Sequence, residues 1–178
     1  MKTNFRDLRI TLSAVIVSFF LLVPFTVNGQ AGKANFSGTW ALNAEKSDMG
    51  QQGQGGRMGG FGGGDFVARQ EANLLTVERS RTNQSGETVK TETKYSLDGK
   101  ESVNTAGRGG ESKSVATWSS DGKTLTIVTT RSMERDGQSM EMKTTEAWTL
   151  SGPASLSIVS TMNTPNGEMK TTRVYDKK

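Results

Sequence analysis

Short runs of alternating apolar and polar residues are ended by Asp-Gly or Asn-Gly at Asp98-Gly99, Asp121-Gly122, Asp136-Gly137 and Asn166-Gly167. Ser85-Gly86 and Ser151-Gly152-Pro153 have the same role. Such pairs tolerate the positive φ of tight hairpin turns, so each joins two neighbouring antiparallel strands. A parallel pair would need a crossover of a dozen residues or more, and these gaps are far shorter. The runs between the turns carry the period-2 pattern of half-buried strands. In 36–43, Trp40 and Leu42 share one face. Residues 66–70 and 74–80 flank Glu71-Ala72-Asn73, with Leu75, Val77 and Arg79 on one side. In 87–97, Val89, Thr91, Thr93, Tyr95 and Leu97 line up, and a weak strand follows at 102–105. Ala116 and Trp118 share a face in 114–119, as do Leu125, Ile127 and Thr129 in 124–131. Continued to the end, the pattern predicts ten strands, and helical periodicity is not sustained beyond the first residues. The chain is therefore expected to be all-β, an antiparallel meander closed into a barrel or, alternatively, folded into a two-layer sandwich.

The first residues have a different character. Lys2, Arg6 and Arg9 surround the single acid Asp7 and precede an apolar run from Ile10 to Val23, the layout of an export signal. Val27-Asn28-Gly29 favours cleavage before Gln30, with cleavage after Ala31 the alternative site. The alternative is an uncleaved anchor, against which stand Pro24 and the abrupt change to polar sequence. The expected organisation is a signal at 1–29 and one domain at 30–178, exported to the periplasm or beyond the cell, with no stable membrane insertion once the signal is removed. Cysteine is absent, so the domain must fold in an oxidising compartment without disulfides. Closing a sheet into a barrel removes its vulnerable edges without them. Residues 50–64 contain nine glycines, a density at which regular structure fails, and are expected to form a loop.

Charge argues against nucleic acid as a partner. Of the formal +4, the signal carries three bases and one acid, and the remaining Lys and Arg alternate with acids, as in Lys90-Thr91-Glu92-Thr93-Lys94. Neutralising several phosphates needs a dense basic patch. Reaction chemistry is equally sparse. With no His and no Cys, the usual general base near neutral pH, thiol nucleophiles and zinc-thiolate sites are all missing. No Gly-x-Ser-x-Gly elbow, phosphate-cradling loop or EF-hand calcium loop is present. No catalytic residue, metal ligand or cofactor is therefore expected, and enzymatic activity ranks below binding.

Two internal echoes locate the interior. Residues 141–148, Glu-Met-Lys-Thr-Thr-Glu-Ala-Trp, reappear at 168–175 as Glu-Met-Lys-Thr-Thr-Arg-Val-Tyr, and Trp118-Ser-Ser-Asp-Gly-Lys echoes Tyr95-Ser-Leu-Asp-Gly-Lys. Tyr95, Trp118, Trp148 and Tyr175 are thus expected to form an aromatic layer toward one barrel end. Glu146 shares strand parity with Met142 and Trp148, and the echo places Arg173 at the equivalent site. If Trp148 points inward, Glu146 and Arg173 should meet there, because opposite charges in a poorly solvated interior favour each other strongly.

With these residues in place, the start Phe36-x-Gly38-x-Trp40, the succession of short antiparallel strands and the late Arg173-x-Tyr175 resemble the calycins, in particular lipocalin-like proteins exported by bacteria. The resemblance covers residues 35–176. The middle lipocalin motif, the usual disulfide and the paired helices of fatty-acid-binding proteins are missing from it. It implies a barrel whose first-strand tryptophan, Trp40, lies under a basic residue of the last strand, a role matched by Arg173, so that Trp40 and Arg173 support closure. It also implies a binding protein for a small, mostly apolar ligand, lined by Tyr95, Trp118, Met142, Glu146 and Trp148, with flexible methionines suiting an adaptable lining. The alternative is a non-enzymatic structural or protein-interaction module of the envelope, for which no particular protein partner is legible. An apolar fraction of 33% is enough for a core and leaves little to line a cavity.

Overall fold

The computed structural model describes residues 32–50, 63–82, 86–105, 110–135, 138–164 and 167–178. The expected signal, most of the glycine-rich stretch and the turn positions Ser85, Asp136-Gly137 and Asn166 lie outside them. Ten strands follow one another: β1 Gly38–Asp48, β2 Phe66–Gln70, β3 Leu74–Thr82, β4 Thr88–Ser96, β5 Glu101–Thr105, β6 Glu111–Trp118, β7 Thr124–Arg135, β8 Gln138–Gly152, β9 Ser155–Thr164 and β10 Gly167–Lys177. Among the described residues there is no helix. Every pairing is antiparallel, and the sheet runs β4-β3-β2-β1-β10-β9-β8-β7-β6-β5. The first and last strands are therefore hydrogen-bonded neighbours, and the two sheet edges, β4 and β5, are joined by the Asp98-Gly99 turn. The result is a nearly closed antiparallel barrel and not a two-layer sandwich.

The seam between β4 and β5 is closed by side chains instead of a continuous ladder. Asn104 accepts from the Lys94 amide at 2.8 Å and donates to the Lys94 carbonyl at 2.9 Å, while Ser102 Oγ accepts from the Ser96 amide at 2.7 Å. β1 is longer than its apolar pattern indicates. Its register on β10 slips between Asn43 and Asp48, and Ser47 Oγ fills the gap, donating to the Asn43 carbonyl at 2.6 Å and accepting from the Val174 amide at 2.9 Å. A side chain that supplies the missing ladder bonds makes such a bulge tolerable.

Inward positions on the strands divide the interior in two. Phe36, Trp40, Phe66, Leu75, Val77, Leu97, Leu125, Ile127, Trp148, Leu156, Ile158 and Tyr175 are buried in one continuous core at the end that carries the β2–β3, β4–β5, β6–β7 and β8–β9 turns. Residues 32–37 cross this end. The Ala34 amide donates to the Gly122 carbonyl at 2.9 Å, and Gln70 bonds both the Phe36 amide and the Ala34 carbonyl. Gly122 is required there twice over: its φ is +70°, and a Cβ would lie 2.5 Å from the Gly32 carbonyl oxygen. Toward the opposite end the inward positions turn polar, with Ser112, Ser114, Thr129, Arg131, Glu146, Ser160 and Arg173.

Candidate functional site

The closed end is a chain of packed rings. Phe36 stacks on Trp118 with centroids 5.8 Å apart and meets Trp148 edge-on at 5.8 Å. Phe66 continues the chain to Trp148 at 5.6 Å and to Tyr175 at 4.9 Å. Trp118, Trp148 and Tyr175 belong to one aromatic chain, whereas Tyr95, the fourth member of the expected layer, is not part of it; Phe36 and Phe66 are its hubs, and the pattern of echoes did not single them out. Of the residues expected to line a ligand, Trp148 is fully buried in this packing. Trp118 lies at its edge, with Lys33 Nζ 5.5 Å from the ring. Tyr95 is 7% exposed at the edge of the core, and Met142 and Glu146 take inward positions in the polar half.

The basic residue over Trp40 is Lys177, which corrects the assignment of that place to Arg173. Trp40 pairs with Lys177 across β1 and β10, and Lys177 Nζ lies 5.5 Å from the indole centroid. Arg173 is four residues further along β10, a distance of about 13 Å on an extended strand. The sequence motif at the start of the domain now has a physical content. Trp40 Nε1 donates to the Phe36 carbonyl at 2.8 Å, and Gly38, at φ +153°, leaves the space that the Lys177 stem occupies, since a Cβ there would lie 2.5 Å from Lys177 Cε.

Arg173 is instead held with Glu146 above the core. β8 and β10 both flank β9, with Glu146 opposite Ser160 and Arg173 opposite Ile158. The arginine leans one step along β9 to reach its partner. Arg173 Nη2 donates to Glu146 Oε1 at 3.1 Å and also to Ser160 Oγ. Glu146 further accepts from Ser160 Oγ at 3.3 Å and, through Oε2, from Trp148 Nε1 at 3.3 Å. The arginine and glutamate side chains are 5% and 19% exposed, so the pair is desolvated enough that each charge depends on the other.

Two further arginines face the same interior. Arg79 shares the parity of Leu75 and Val77, pairs with Phe66 and lays its guanidinium 4.9 Å from that ring. Arg131 shares the parity of Ile127 and pairs with the buried Ser112. Neither has an ion-pair partner among the described residues, and Arg79 Nε is buried without a hydrogen-bond acceptor there. The three arginines and Glu146 converge electrostatically on the tyrosines. Burial pushes the Tyr95 phenol up to about 12, with the Glu146 charge raising it further and Arg79 and Arg131 opposing. Burial likewise raises Tyr175, against Arg173 and Arg79. Among the described residues the polar half thus has more positive than negative side chains, with hydroxyls from Ser114 and Thr129, bonded to each other at 2.9 Å, and a rim of half-buried Met142, Met162 and Met169.

Among the described residues no group of three or more His, Cys, Asp or Glu is placed to hold a metal ion, and the one inward carboxylate is committed to Arg173. Arg79 and Arg131 were not singled out in the sequence as site residues; their parity with the core positions Val77 and Ile127 was the available signal.

No family model matches the chain, and no curated protein matches it. Among solved structures it is similar to the zebrafish ileal bile acid-binding protein complexed with cholic acid, at 18% identity and a TM-score of 0.49, over 80% of this chain and 98% of that one. No helix of the described residues is long and apolar enough to cross a membrane.

Proposed function

We propose that this chain is an exported, lipocalin-like binding protein of the bacterial kind that holds a small, mostly apolar ligand bearing an anionic group in the polar half of its barrel. The observation that carries the reading is the charge imbalance of the interior. Among the described residues, Arg79, Arg131 and Arg173 occupy inward positions against the single inward carboxylate of Glu146. A buried donor without an acceptor, as at Arg79 Nε, costs about 1 to 3 kcal/mol. A ligand oxygen placed there would recover that loss and offset the local charge, while the rim methionines adapt to an apolar body. Export is supported by the signal layout of residues 1–29. Exposed Lys94, Lys113 and Lys143 on outward strand positions are the reverse of a lipid-facing band.

Binding of a medium-chain carboxylate and of its methyl ester, read by displacement of a fluorescent apolar probe, tests the reading. The acid should bind at least about tenfold more tightly, the equivalent of one charge-assisted hydrogen bond. Arg131→Gln should erase most of that preference while leaving the ester unaffected. Equal binding of acid and ester, or no displacement by either, would remove it.

A further inference from the structure

Methionine is distributed unevenly in this fold. The fully buried core is built from Leu, Ile, Val, Trp, Phe, Tyr and Ala, with no methionine, whereas half-buried methionines occupy the inward rim positions of three consecutive strands. Met162 on β9 stands directly opposite Met169 on β10. On its other side Met162 is one diagonal step from Met142 on β8, because its direct partner there is Thr144. Directly opposed residues of an antiparallel pair have Cβ atoms about 4.5 to 5.5 Å apart, and diagonal ones about 7 to 8 Å. The three thioether side chains are therefore neighbours on one inward face near the rim. Strand positions favour β-branched and aromatic residues, so neither strand propensity nor core packing accounts for three adjacent methionines.

We propose that Met142, Met162 and Met169 form a binding site for a soft monovalent cation, copper(I) or silver(I). Thioether sulfur is a soft ligand that selects such ions over zinc, magnesium or calcium. In a chain without His or Cys it is also the only soft donor. A thioether needs no deprotonation, so the site binds equally across the pH range in which thiolate, imidazole and carboxylate sites weaken. Arg131 stands directly opposite Met142. Its charge repels any cation, and a divalent ion twice as strongly as a monovalent one. The site lies at the rim, apart from the arginines' own hydrogen bonds, and does not depend on the acid-headed ligand proposed above.

Silver(I), which is redox-inert, is the probe. Titration of the exported protein in chloride-free buffer, followed by native mass spectrometry and calorimetry, should show one ion per chain. The affinity should stay flat between about pH 5 and 8, and zinc(II) should not compete. Met142→Leu, Met162→Leu and Met169→Leu conserve volume and should keep the fold. Each should weaken silver binding about tenfold or more, and the triple variant should abolish it. Met49→Leu, at an exposed methionine outside the trio, should change nothing. Wild-type protein that takes up no silver(I), or single variants that are folded by circular dichroism and bind it as tightly as wild type, would overturn the proposal.

Discussion

Glu146 and Arg173 show how far strand parity alone can reach. Their meeting inside the barrel follows from two facts of sequence: the parity of Glu146 with Trp148, and the echo that places Arg173 two residues before Tyr175. What parity could not supply was the neighbour between them, Ser160, because β9 carries no part of the echo. Breaking the pair should be costly, since the surviving charge stays desolvated. Arg173→Met is expected to destabilise the protein by about 3 kcal/mol, the low end for a buried ion pair given the residual exposure of Glu146. In a urea-denaturation cycle with Glu146→Gln the two substitutions should couple by about 1 kcal/mol or more; strict additivity would show that the pair contributes nothing. The tyrosines offer a test by pH. The chain has only two, and both phenols are raised above 10, Tyr95 to about 12. The folded state therefore keeps protons that the unfolded state releases near pH 10. Their contribution to stability is complete below that pH and is lost as pH climbs toward 12. Ultraviolet absorbance of phenolate in folded protein should show no titration centred at 10, and Tyr95→Phe should flatten the alkaline fall in stability. A phenolate step at pH 10 in protein still folded would contradict the burial.

Strands and turns were the most legible elements, because both are written locally. The Asp98 and Asp121 turns repeat the same bonds. Ser96 and Ser119 hydroxyls each donate to the aspartate two residues on at 2.6 Å, and that aspartate accepts from the amide of Lys100 or Lys123. This is the physical content of the Tyr95–Lys100 and Trp118–Lys123 echo. Less legible were features decided between distant segments. The Ser47 bulge lengthens β1 past its apolar pattern, and the register of β10 on β1 puts Lys177, not Arg173, over Trp40. β6 begins earlier than expected, at Glu111, because Ser112 and Ser114 face inward where an apolar residue marks most strands. The β4–β5 seam was not legible at all, since Asn104 and Ser102 look like ordinary polar strand residues until the barrel brings Lys94 and Ser96 beside them. A seam held by two side chains should open more readily than a ladder. Asn104→Ala is expected to raise amide hydrogen exchange at Lys94 and Ser96 by about tenfold, with β7 and β8 unchanged. Equal protection in variant and wild type would mean that the edges are joined by something other than these bonds.

On the scale of the whole molecule, the barrel interior is divided along its length into an apolar end and a polar end. The small apolar supply of the chain is concentrated at one end, where residues 32–37 and the chain of rings from Trp118 to Tyr175 complete a core. The inward positions of the other half are polar and cationic, so a 33% apolar composition is enough to complete the core. The sequence pointed to the barrel and to several inward residues. It was silent on the partition, because which inward residues join the core depends on how far residues 32–37 and the chain of rings extend across the barrel. Native mass spectrometry of protein purified from its source organism tests the proposed binding role most directly. A single small-molecule adduct should persist in gentle conditions, leave on organic extraction and prove to carry an acidic group on an apolar body. The bare polypeptide mass in repeated preparations, with no apolar probe taken up by the extracted protein, would contradict it.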